Sequence, residues 1–276
     1  MKPRIGIIPG DPGGIGPELI AKLLADPQVH EKADILLIGD RHLFEMGQTQ
    51  ANSQAGTEIA MTGCDARKDD WTGIAGLAIH ERETIAAGDV RLAEVTHANG
   101  HSALSNLNCA LELARDGIID AITFGPFNKA ALIEAGLGHE DELHHMAEFL
   151  GVEGYISELN TLNGIWTSRV SSHIALKEGA GYITEHRITE AVHLIDRTLR
   201  RSGLNRPRLS VAALNPHAGD NGNFGMEEIE VITPTVETLR HQQLNIDGPW
   251  PSDTVFLKAK AGEVDGLSLI HISEPT

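Results

Sequence analysis

Residues 5–18 read Ile5-Gly6-Ile7-Ile8-Pro9-Gly10-Asp11-Pro12-Gly13-Gly14-Ile15-Gly16-Pro17-Glu18. The apolar run Ile5 to Pro9 has the composition of a buried strand, and the Gly, Pro and Asp cluster after it has that of a tight turn. Glu18-Leu19-Ile20-Ala21-Lys22-Leu23-Leu24 then shows helical apolar spacing. Strand, glycine-rich turn and helix in this order predict an α/β fold. Ala33 to Asp40 is a continuous apolar run closed by Gly39, as a strand buried on both faces requires. Ala103 to Asp116 is helical by pattern, and Ile118 to Phe124 reads as a strand opening into Gly125-Pro126-Phe127-Asn128-Lys129, with a helix from Ala130 to Glu134. Leu209 to Leu214 leads into Asn215-Pro216-His217-Ala218-Gly219-Asp220, followed by helix signals from Met226 through Leu239. Three strands thus deliver polar, Gly- and Pro-rich loops from their carboxyl ends, where open α/β sheets bind ligands. Gln50 to Gly76 is polar and weakly periodic, a peripheral segment.

The 276 residues include 22 Lys and Arg against 39 Asp and Glu, a formal net charge of -17, with the acidic residues scattered. Such a surface excludes nucleic acid and anionic membrane as partners by simple repulsion. Cys64 and Cys109 have no paired or CxxC spacing, so no disulfide framework or thiolate metal site is expected, and a reducing cytoplasm fits. The first residues lack the apolar core of a signal peptide, and no run approaches the length of a membrane span. A soluble protein with a small-molecule substrate is expected.

The first glycine-rich loop matches neither GxGxxG nor GxxxxGK[ST], so a phosphate cradle and a plain strand-to-helix turn both remain open for it. His173, in Ser171-Ser172-His173-Ile174-Ala175-Leu176, and His217 both sit just beyond apolar strand runs. Neutral imidazoles there can ligate zinc or a similar divalent ion, or can simply be hydrogen-bonded loop histidines. His144 and His145 fall on an expected helix, where neighbours point about 100° apart, and read as surface residues. Gly138-His139-Glu140-Asp141-Glu142 either orients a polar substrate or caps a helix. Asp253, in Pro251-Ser252-Asp253-Thr254-Val255-Phe256, is either an acid/base or supporting carboxylate or an N-cap.

Taken in order, these segments resemble the 4-hydroxythreonine-4-phosphate dehydrogenase family of vitamin B6 biosynthesis. The matching stretches are Pro9 to Glu18, Gly125 to Lys129, Gly138-His139, Ser171 to Leu176, Leu214 to Asp220, Gly225 to Glu228 and Pro251 to Phe256, and they reach to about Gly266. The resemblance implies a fold like that of isocitrate and isopropylmalate dehydrogenases, with two α/β/α domains interleaved in sequence over 1–266 and an active site in the cleft between them. It implies a homodimer with shared active sites. His173 and His217 would be two of three histidines holding a divalent metal (Zn, Mg or Co), the third coming from the partner. His139 would contact the phosphate end of the substrate beside Glu140, and Asp253 would be catalytic. NAD or NADP would accept hydride, its binding residues unassigned.

The expected reaction is oxidation of a 3-hydroxy acid with decarboxylation, 4-phosphooxy-L-threonine giving 3-amino-2-oxopropyl phosphate. Departures from the family pattern widen the choice. Glu140 stands where the family has Thr, and an ionised carboxylate there repels a phosphate. Asn223 and Met226 replace a common His and Thr, and the loop before His139 is shorter. A four-carbon sugar-acid phosphate and a cis-dihydrodiol dicarboxylate are therefore alternatives, and outside this class a metal-dependent hydrolase and a non-catalytic binding protein share the imidazole signature. After Gly266 the family continues into a YHDQG loop with the third metal histidine. Here the residues are Leu267-Ser268-Leu269-Ile270-His271-Ile272-Ser273-Glu274-Pro275-Thr276, which resemble the translation of a transposon-end sequencing adapter. Residues 267–276 are expected to be a non-native tail and the chain as written, a fragment, to be inactive.

Overall fold

The computed structural model describes residues 2–52, 59–139, 141–171 and 174–271. His173 and Glu140 lie outside the described residues. The chain divides into two compact units, Met1–Val152 and Glu153–Thr276. Each is contiguous in sequence.

The first unit opens with β1 (Arg4–Ile8), α1 (Gly16–Leu24), α2 (Pro27–Lys32), β2 (Asp34–Gly39) and α3 (Arg41–Asn52). It continues with β3 (Met61–Gly63), β4 (Leu77–Glu81), α4 (His97–Arg115), β5 (Ala121–Phe124), α5 (Lys129–Glu134) and α6 (Glu142–Phe149). The strands form one parallel sheet in the order β3-β4-β2-β1-β5. Its alternation is visible in the core. Ile7, Leu37 and Ile79 pack with Ile20, Leu24 and Phe44 of α1 and α3 on one face, while Ile8, Leu36 and Ile38 pack with Leu107, Ala110 and Leu111 of α4 on the other. The apolar runs of β1 and β2 have this cause, both faces being covered there; β5, at the sheet edge, is largely exposed, which corrects the buried strand expected over Ile118–Phe124.

The second unit contains β6 (Asn160–Leu162), β7 (Ile165–Ser171), α7 (Glu185–Arg201), β8 (Leu209–Ala212), a π turn at Glu228–Ile232, α8 (Thr233–His241), β9 (Ile246–Trp250), α9 (Val255–Lys260) and β10 (Gly266–His271). Strand order is β6-β7-β10-β8-β9, with only β6 antiparallel to its neighbour. Val170, Val211 and Ile270 meet Ile188, Val192, Ile195 and Leu199 of α7 and Val236 and Leu239 of α8. Leu267 and Leu269 meet Val255 and Ala259 of α9. Residues 267–271 thus fill the sheet as β10, alternating faces with period two. Among the described residues no helix is long and apolar enough to cross a membrane.

The glycines of the opening loop have a packing role. A methyl group on Gly10 would overlap the carbonyl of Gly125, and one on Gly16 or Gly125 would overlap that of Pro9. The loops after β1 and β5 therefore interlock backbone to backbone, and Asp11 N–H donates to the Pro126 carbonyl at 3.0 Å. Gly10 also has φ +81°. Gly73 has a similar φ, +88°, in open space. Gly73→Ala should thus cost about 1–2 kcal/mol of left-handed strain, and Gly10→Ala a further 1–3 kcal/mol, roughly, of overpacking. Urea unfolding of the two variants checks this, and equal midpoints would refute the interlock.

Candidate active site

In both sheets the chemistry gathers at the carboxyl edge. Beyond β8, Ala213 N–H donates to the Trp250 carbonyl at 2.7 Å and Ser252 Oγ donates to the Ala213 carbonyl at 2.6 Å, which ties the loop after β8 to the one after β9. Leu214 N–H and Asn215 N–H then donate to Glu228 Oε1 at 2.9 and 2.7 Å. Asn215 Nδ2 donates to Glu228 Oε2 at 2.9 Å and to Glu227 Oε2 at 2.7 Å.

The chain next turns left-handed, with φ of 52° at His217, 55° at Ala218, 78° at Gly219, 43° at Asp220 and 55° at Asn221. For the four non-glycine residues this conformation costs about 1–2 kcal/mol each, so the surroundings must hold it. Hydrogen bonds from Ala218 N–H to Asn215 O, Phe224 N–H to Gly219 O and Asn223 N–H to Asp220 O contribute. His217 is exposed, edge-on to Phe224 at 6.4 Å between ring centroids, and its imidazole makes no hydrogen bond among the described residues. Its ring nitrogens are free to ligate.

β10 lies between β7 and β8, all parallel, with His271 in register with Ser171. β7 ends at Ser171 on the same edge of the sheet as β8, two strands away, about 10 Å by ordinary strand spacing. Among the described residues no three His, Cys, Asp or Glu side chains form a metal-holding cluster. Asp253 is exposed beyond β9 on that edge, without a hydrogen bond or ion pair among the described residues. It is not the N-cap of α9; Thr254 occupies that position.

In the first unit, Asp11 is buried beyond β1, accepting from Gly13 N–H at 2.9 Å and from the Asn128 side chain, and burial pushes its carboxyl pKa up. Asn128 in turn caps α5, its Oδ1 accepting from Ala131 N–H. Asp40, buried beyond β2, accepts from Thr84 N–H, Thr84 Oγ1 and Ile85 N–H. Asp11, Asp40 and Glu228 are candidate-site residues that no sequence motif singles out. Asp11 and Asp40 carried a signal, an acid at the end of an apolar strand run.

His139 is partly buried, with Nε2 hydrogen-bonded to Glu148 of α6 and its ring 6.1 Å from that of His145. Asp141 caps α6 by accepting from His144 N–H, so the helix-start reading of this segment holds for Asp141. His144 is at the surface, but His145 turns inward, its Nε2 2.7 Å from Asn108 Oδ1. The expected surface position of His145 is therefore corrected: α6 packs this side against α4.

The model of the pyridoxal phosphate biosynthetic protein PdxA family matches residues 31–271. The chain belongs to this family. A Pseudomonas aeruginosa protein bearing the provisional name 4-hydroxythreonine-4-phosphate dehydrogenase 2 is 46% identical over 258 residues, 94% of this chain and 75% of that protein. A Symbiobacterium thermophilum protein, provisionally named D-threonate 4-phosphate dehydrogenase, is 31% identical over 98% of this chain and 79% of its own length. The crystal structure of 4-hydroxythreonine-4-phosphate dehydrogenase from Klebsiella pneumoniae superposes with a TM-score of 0.84 at 28% identity, over 98% of this chain and 80% of that one. The PdxA chain described here is accordingly an oxidoreductase, and its mixed α/β architecture with parallel sheets agrees with the solved relatives. Membership among dehydrogenases sets aside the hydrolase and the non-catalytic binding protein.

His145 yields a pH prediction. Burial first, then the neighbouring His139, lowers its pKa below the ordinary 6.5. The unfolded chain therefore takes up this proton first as pH falls through 6.5, and stability drops. Between pH 7.5 and about 5.5 the urea midpoint should fall more steeply in the wild type than in His145→Gln. Parallel slopes would contradict the assignment.

Proposed function

We propose that this PdxA-family enzyme oxidises a phosphorylated 3-hydroxy acid with decarboxylation, 4-phosphooxy-L-threonine giving 3-amino-2-oxopropyl phosphate, on a fold of the isocitrate/isopropylmalate dehydrogenase type. The observation that carries the reading is His217, an exposed and unengaged imidazole on a fixed turn at the carboxyl edge of a parallel sheet, in a chain of this family. Imidazole donors of this kind suit a divalent ion such as zinc, magnesium or cobalt. His217 and His173 would hold it, with a third histidine from the partner subunit of a homodimer. When bound, the ion draws electron density from the substrate oxygens and NAD or NADP accepts the hydride.

The chain's own residues supply the rest. Asp253 receives the hydroxyl proton as hydride leaves the adjacent carbon, forming a β-keto acid. Its carbon–carboxylate bond then breaks, carbon dioxide departs, and the electron pair becomes an enolate that is protonated at carbon. His139 and residue 140 meet the far end of the substrate. The glycines after β1 serve packing, and no described loop is assigned to the nicotinamide.

A second substrate class, a four-carbon sugar-acid phosphate, is favoured by the relatives named as D-threonate 4-phosphate dehydrogenases at 31–33% identity. Glu140 bears on phosphorylated against unphosphorylated substrates. Replacing it with Thr should raise kcat/KM for 4-phosphooxy-L-threonine relative to unphosphorylated hydroxy acids roughly tenfold, about 1.4 kcal/mol. A substrate panel followed by nicotinamide absorbance reads this, and an unchanged preference removes Glu140 from specificity.

Residues 267–276 we read as non-native. Replacing them with the family's YHDQG-bearing segment should convert an inactive chain into an active one, and in that enzyme His217→Ala or His173→Ala should cut metal-dependent turnover more than about 100-fold. Turnover by the unaltered chain near that of the replaced one would show the tail to be native.

A further inference from the structure

Glu228 is 3% exposed and no ion pair neutralises it among the described residues. A buried carboxylate is costly unless donors satisfy it. Among the described residues its donors come from the start of one turn: Leu214 N–H, Asn215 N–H and Asn215 Nδ2. The carboxylate also lies beneath the middle of the left-handed run, since a methyl on Gly219 would come within 2.8 Å of Glu228 Oε2. It opens a π turn, Glu228–Ile232, a local widening that recurs at functional sites. An apolar side chain would fill this space without the desolvation cost, so packing alone does not account for a carboxylate here.

We propose that Glu228 is a positioning residue for His217. Clamped between the entrance of the turn and its centre, the carboxylate holds four non-glycine residues in left-handed backbone and so fixes where the imidazole stands. Both carboxylate oxygens are occupied by loop donors, which leaves Glu228 to act through the turn and not as a ligand. The proposal rests on the reading of His217 as a metal ligand.

The test uses the full chain. Glu228→Gln keeps an acceptor for the two backbone donors but sets an NH2 group against Asn215 Nδ2; Glu228→Leu removes every acceptor at similar volume. Amide hydrogen exchange at 214–224 should rise modestly in Glu228→Gln and at least tenfold in Glu228→Leu, while exchange in α7 stays at wild-type rates and reports that the unit is folded. Cobalt(II) affinity, read by visible absorbance with the metal alone, should weaken in the same order, by roughly tenfold to a hundredfold for Glu228→Leu. Wild-type exchange at 214–224 in both variants, or wild-type cobalt affinity in both while His217→Ala loses it, overturns the proposal. Wild-type cobalt affinity in His217→Ala overturns the ligand reading instead, and the exchange rates then still decide whether Glu228 holds the turn.

Discussion

A parallel sheet satisfies its own backbone only as far as the strands run, and the loops that leave its carboxyl edge carry peptide donors with no ladder to join. In this protein buried carboxylates accept them. Asp11 takes Gly13 N–H after β1, Asp40 takes Thr84 and Ile85 N–H after β4, and Glu228 takes Leu214 and Asn215 N–H after β8. Each places an acceptor where water is excluded. Each thereby makes a particular loop conformation far cheaper than its alternatives. The shapes of the loops, and so of the site, depend on this interaction more than on any property of the strands beneath.

The strands themselves were legible. Ile5 to Pro9, Ala33 to Asp40, Ile118 to Phe124 and Leu209 to Leu214 each overlap an observed strand; burial demands the apolar runs of β1, β2 and β8, whereas edge strand β5 is largely exposed. The turn glycines and His217 were legible for the same reason, as residues standing at the ends of such runs. Other elements were harder. β3 and β6 are three residues each at sheet edges and β9 contains Gly248-Pro249, so their sequences look like loops. α7 is marked by a buried stripe of Ile188, Val192, Ile195 and Leu199 that its many charged residues obscure. Residues 267–271 are expected as tail from sequence, yet a Leu-Ser-Leu-Ile run satisfies the alternation of a central strand whatever its origin.

The carboxylate clamp illustrates what a linear reading misses. Glu228 stands thirteen residues from Asn215 and is one of 39 acidic residues, most of them solvated. Nothing in its neighbours marks it as buried. The signal is a contact between a π turn and a loop, and such contacts exist only once α8 has packed on the sheet and carried the turn over the end of β8.

The two units solve loop rigidity differently, and the difference follows from what each loop must present. After β1 and β5 the loops interlock through Gly10, Gly16 and Gly125, backbone on backbone, with little room for side chains. That solution gives stiffness but offers no functional group at the point of contact. The loop after β8 has to hold an imidazole outward, and a residue bearing a side chain cannot be fixed by close backbone packing from both sides. Left-handed backbone turns His217 out of the sheet's edge, and the cost of that conformation in Ala218, Asp220 and Asn221 requires a strong, directional anchor. A carboxylate accepting three hydrogen bonds is the kind of anchor that charge-assisted geometry provides. After β1 and β5 stiffness therefore comes from backbone packing at the glycines beside the Asp11 carboxylate, and after β8 from the buried Glu228 carboxylate, whose donors among the described residues are in the loop it holds.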